Sequence, residues 1–68
     1  MTKKEIFKAV KEANIIADQM ADLAVGSAEY NQLSEELNWT LDPLFYDKRR
    51  NFSLHLSQRT GHYYVRFA

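Results

Sequence analysis

His55 stands two residues from Ser53 and two from Ser57, so on an extended strand all three side chains share one face, where a hydroxyl nucleophile and an imidazole base could meet. The constellation stops there. No Asp or Glu follows Asp47 to orient the imidazole, Gly26 and Gly61 are the only glycines, and an exposed strand excludes no water. An oxyanion loop and a phosphate-cradling glycine loop are therefore both missing. His55 and His62 could lie diagonally across a hairpin, but two ligands fall short of the three or four that hold a metal. Cysteine is absent, which excludes disulfides and thiolate metal sites and leaves the redox compartment undetermined. These residues imply no catalytic site, no cofactor and no metal; the chain is expected to act by binding.

Charge suggests where. Formal charge is zero, yet residues 1–11 carry +3, residues 12–47 carry −8 with no Lys or Arg, and residues 48–68 carry +5 with no acid. Like-charge runs are ordinarily solvated faces, and neighbouring faces of opposite sign can simply attract each other. One detail argues for more than that. Lys3 and Lys4 open the first predicted helix while Asp18 and Asp22 close it, the reverse of what the helix dipole favours.

Two candidate contact faces follow. One is basic and aromatic, with Arg49, Arg50, Arg59, Tyr64 and Arg66; the other is acidic, with Asp18, Asp22, Glu35 and Glu36. Arg and Tyr are favoured interface anchors, and opposite patches on a small body suit steered docking on another protein. The expected function is a protein-binding module, a regulator or an inhibitor. The alternative is nucleic acid, held by the basic segment with Tyr64 and the histidines available to stack. A helix over 43–50 ahead of a hairpin is similar, in element order alone, to a winged helix-turn-helix. Against this, the −8 stretch would repel phosphates.

The elements that must carry these faces can be read from periodicity. Thr2 with Glu5 forms a capping-box pattern, and Ile6, Val10, Ala13, Ala17, Met20 and Ala24 continue behind it as one helical stripe. Gly26 is the expected stop for a helix over 3–25. Ile15 falls off the stripe among charged residues, where an apolar side chain has no core to enter. Ser27 caps a second helix with Tyr30, Leu33 and Leu37 on one face, and Pro43 is expected to end it between Asn38 and Asp42. Residues 43–50 are open to a short helix or a third strand.

Beyond Asn51 the period changes to two. Phe52, Leu54 and Leu56 alternate with polar residues, as do Tyr63, Val65 and Phe67. A loop at Gln58-Arg59-Thr60-Gly61 would set Leu56 opposite Tyr63, Leu54 opposite Val65 and Phe52 opposite Phe67, placing every apolar side chain on one sheet face.

The reading is a single α+β domain over 1–68, two N-terminal helices packed on a C-terminal antiparallel hairpin. The expected core is Ile6, Val10, Ala13, Met20, Leu33, Leu37, Trp39, Phe52, Leu54, Leu56, Val65 and Phe67. A chain of 68 residues buries only about 60% of its unfolded surface, so the thin core and Ile15 together favour self-association as a two-fold dimer. No apolar run approaches the roughly 18 residues of a membrane span and no secretory leader is evident, so no membrane partner and a cytoplasmic location are expected. Asn38-Trp39-Thr40 matches a glycosylation sequon that such a location would leave unused.

Overall fold

A computed structural model describes residues 2–46 and 51–67. Helix α1 spans Lys3–Ala21, α2 spans Ala28–Phe45, and strands β1 (Phe52–Leu56) and β2 (Tyr63–Phe67) form a two-stranded antiparallel sheet. The architecture is α+β, with two helices followed by a hairpin. No helix among the described residues is long and apolar enough to cross a membrane.

Both helices start where their sequences signal it. The Thr2 hydroxyl accepts from the Glu5 N–H at 3.2 Å, and Ser27 accepts from the Tyr30 N–H at 3.1 Å, so each N-cap satisfies a donor that the first turn leaves open. Their ends differ from expectation. α1 closes at Ala21, four residues early, with the Asp22 N–H turning back onto the Gln19 and Met20 carbonyls. Gly26, at φ +88°, serves the following turn instead. It is the third residue of Ala24–Ser27, closed by Ser27 N–H to Ala24 C=O at 3.1 Å, a place where positive φ suits glycine.

α2 passes through Pro43 and reaches Phe45, overturning the expected end between Asn38 and Asp42. A helix-interior proline costs about 3 kcal/mol through its missing N–H and its ring. Continuing the helix buries Leu41 and Leu44, each worth about 1.5–3 kcal/mol, which offsets that cost. Leu44 and Phe45 are thus helical and belong to α2, not to a third strand or a separate short helix. Tyr46 is the C-cap of α2, and Asp47 to Arg50 lie outside the described residues.

The core is Ile6, Val10 and Ala13 from α1, Leu41 and Leu44 from α2, and Phe52 from β1. Contact between the start of α1 and the end of α2 makes the helices antiparallel. Leu37, Leu54, Val65 and Phe67 pack around this centre half-buried. Of the expected core, half-buried Met20 and Leu33 and exposed Trp39 and Leu56 do not join it. Along α2 the buried stripe runs Leu37, Leu41, Leu44, and Trp39 stands two residues, about 200°, from Leu37 on the outer side. Leu56 sits at the loop end of the hairpin, away from the core cluster.

The hairpin register places Phe52 opposite Phe67, Leu54 opposite Val65 and Leu56 opposite Tyr63, as the alternation requires. Ser57 N–H to His62 C=O at 2.9 Å and Gly61 N–H to Ser57 C=O at 2.8 Å close the loop, with Gly61 at φ +75°. Strand β2 then runs antiparallel to α1 along a second stripe of that helix. Lys3 Nζ lies 5.0 Å from the Phe67 ring, Phe7 meets Phe67 edge-on at 5.5 Å, Asn14 grips Tyr63, and Asp18 reaches His62 at 2.7 Å. The spans agree: Phe7 to Asp18 rises about 16 Å along a helix, and His62 to Phe67 about 17 Å along a strand.

Asn14 is the least anticipated member of this seam. Its Nδ2 donates to the Tyr63 carbonyl at 3.0 Å while its Oδ1 accepts the Tyr63 N–H at 2.6 Å, so one side chain pairs both backbone groups that Tyr63 turns away from β1. Asn14→Ala should orphan both partly buried groups and cost about 1–3 kcal/mol. The urea midpoint checks this, and Asn14→Asp, which keeps the acceptor and loses the donor, should fall between.

Candidate functional site

The outer side of α2 carries the largest exposed aromatic. Trp39 is 80% exposed, and Pro43 and Tyr46 follow it at helical spacing on the same side, also exposed. The stripe is exposed because the opposite stripe holds the core, and no described residue covers its apolar content. Trp39 forms one end of an open groove of about 490 Å³ whose other walls are Ile16 of α1 and Gln32, Glu35, Glu36 and Thr40 of α2. Thr40 donates its hydroxyl to the Glu36 carbonyl at 2.9 Å and is thereby held against the helix. Glu35 and Glu36 form no ion pair with another described residue. The groove therefore offers an indole, an aliphatic wall and two carboxylates to whatever docks.

The four acids named from the sequence do not gather into one face. Glu35 and Glu36 line the Trp39 groove, whereas Asp18 bonds His62 and Asp22 closes α1. Two of the charges set against the α1 dipole thus have tertiary partners on the hairpin: Lys3 lies over Phe67 and Asp18 meets His62. Ile15 is exposed at 51%, as its position off the stripe implies.

The basic set is only partly described, since Arg49 and Arg50 lie outside the described residues. Arg59 is exposed in the hairpin loop. On the outer sheet face the His55 and Tyr64 rings stack at 5.2 Å and 20°, Arg66 lies 5.8 Å from the Tyr64 ring, and Ser53 Oγ is 2.8 Å from His55 Nε2. The serine and histidine considered as nucleophile and base do meet, with no described carboxylate behind the imidazole. His62 turns to Asp18 and leaves this face, so the two histidines do not converge. Among the described residues no three His, Asp or Glu side chains gather closely enough to hold a metal.

Within this site Trp39 is the residue that sequence reasoning misplaces, because its bulk suggests the core. The available signal was its angular distance from Leu33 and Leu37 once the helix is allowed past Pro43. No family model, no curated protein and no solved structure matches this chain.

Proposed function

We propose that this chain is a non-enzymatic protein-binding module, a regulator or inhibitor that docks through the α2 groove. The observation that carries the reading is Trp39 standing 80% exposed beside the carboxylates of Glu35 and Glu36, which form no ion pair among the described residues. Tryptophan is the residue most enriched among interface hot spots, and an exposed indole with an aliphatic neighbour supplies the anchor of such a site. Glu35 and Glu36 select a partner bearing Lys or Arg, whose charge can meet the carboxylates and the face of the indole together. In this reading Asp18 and Asp22 contribute long-range field, and the basic hairpin residues Arg59, Tyr64 and Arg66 form a second, subordinate contact face.

Nucleic-acid binding is supported by one observation, the exposed ladder of His55, Tyr64 and Arg66. It ranks second because that ladder is already stacked on itself and because the acidic stretch opposes phosphates. Capture of binding material from a lysate, with and without nuclease, separates the two. Protein docking predicts capture that survives nuclease; nucleic-acid binding predicts its loss, together with steep salt dependence on bare oligonucleotides.

A further inference from the structure

The hairpin has two edges, and they are treated differently. The Ser57–His62 hydrogen bond fixes the parity of the ladder, so His55–Tyr64 and Ser53–Arg66 are the hydrogen-bonded pairs and the residues between them point their backbone groups outward. Tyr63 agrees with this parity, because its outward N–H and C=O are the pair that Asn14 takes up on the β2 edge. On the β1 edge Phe52, Leu54 and Leu56 turn the same groups away from β2, and no hydrogen bond from outside the sheet reaches them among the described residues.

Exposed edges invite another strand, and proteins that keep an edge unpaired blunt it with charge, proline or a bulge. β1 has none of these: Phe52–Leu56 reads FSLHL, without Lys, Arg, Asp, Glu or Pro, and its register with β2 is one to one. We propose that β1 is a self-pairing edge, on which a second copy of this chain docks antiparallel, β1 against β1, about a two-fold axis at Leu54. Leu54 then faces Leu54 of the second copy and Phe52 faces its Leu56, with the outward N–H and C=O groups of all three residues paired across the seam. The two hairpins become one four-stranded sheet.

Several features select this occupant. The strand is apolar at both ends and the middle of one face, so an antiparallel copy meets like with like, and Leu56, 53% exposed in one chain, gains Phe52 of the other as neighbour. Leu56 also borders a hollow shared with Met20, Leu23, Tyr30, Leu37 and Tyr63, none of them charged. Within β1 no Lys, Arg, Asp or Glu is set against its own copy across the seam. Size points the same way. The radius of gyration is 12.5 Å against about 11 Å for a compact globule of this length, and an isolated two-stranded sheet is marginal. The seam does not include Trp39, so it can fail without touching the groove.

Sedimentation equilibrium across a hundredfold dilution, combined with amide exchange, tests the pairing. The expected result is a mass rising from one chain to two with concentration, and amides of Leu54 and Leu56 that gain protection only where the dimer is populated. Leu56→Pro removes an outward N–H that the β1–β2 ladder does not use, and should leave a folded monomer at every concentration. Should that variant fail to fold, Leu56→Lys, which places like charges on the seam of both copies, should give the same monomer. A wild-type mass of one chain throughout would overturn the proposal. So would a dimer that the folded variants leave intact, or one in which the Leu54 and Leu56 amides exchange as fast as in the dilute sample.

Discussion

Leu44→Ala should cost about 2–5 kcal/mol, the range for emptying a fully buried leucine site. Leu44 is 0% exposed and sits where both helices and β1 meet. A domain of this length has about 3–10 kcal/mol of stability in all, so the variant should be largely unfolded at moderate urea. Leu54, one of the core residues expected from the sequence, is only half-buried, and its truncation should cost less. Pro43→Ala gives the complementary result. If α2 runs through residue 43, alanine restores the helical hydrogen bond and relieves a penalty of about 3 kcal/mol, against about 0.4–1 kcal/mol of lost restraint on the unfolded chain. Its urea midpoint should rise. An unchanged midpoint for Leu44→Ala with none gained by Pro43→Ala would place the end of α2 before the proline.

The second large effect concerns binding. Trp39→Ala should weaken capture of the partner about 30-fold or more, the tenfold per 1.4 kcal/mol applied to a hot spot of at least about 2 kcal/mol. Glu35→Lys with Glu36→Lys should abolish it by setting charge against a cationic partner. Neither change touches the core, since all three side chains are exposed on the outer side of α2, and the urea midpoint should move by no more than about 0.5 kcal/mol of stability. Reversing Arg59 and Arg66 should have the smaller effect on capture. The reverse ranking, with loss on the hairpin and none at α2, would transfer the site to the outer sheet face.

The parts of this fold legible in the sequence are those where two local signals agree. In the hairpin, the alternation of Phe52, Leu54 and Leu56 and the loop ending in Gly61 require the same register, and that register is present. Thr2 and Ser27 cap their helices because a hydroxyl beside a helical stripe has few other uses. The helix ends were not legible. Pro43 is a local stop signal outweighed by tertiary burial of Leu41 and Leu44, and Gly26 shows that a turn was needed but not that Asp22 already closes α1. Phe7 and Asn14 escape a periodicity reading for a related reason: a hydrophobic stripe describes one buried face, whereas α1 makes two contacts, a buried one with α2 and a largely exposed one with β2. Of the candidate site, Glu35 and Glu36 follow from charge alone. Trp39 does not, because the same indole suits a core or an interface, and only its angle around α2 decides.

That angle offers the most direct measurement. Trp39 is the chain's single tryptophan, so fluorotryptophan labelling yields one fluorine NMR line that reports its environment alone. Mixed with partner recovered from nuclease-treated capture, the labelled chain should show that line shift and lose its response to a soluble paramagnetic quencher as the indole is covered. A complex that forms while the line and its quenching remain those of the free chain would contradict docking through the α2 groove.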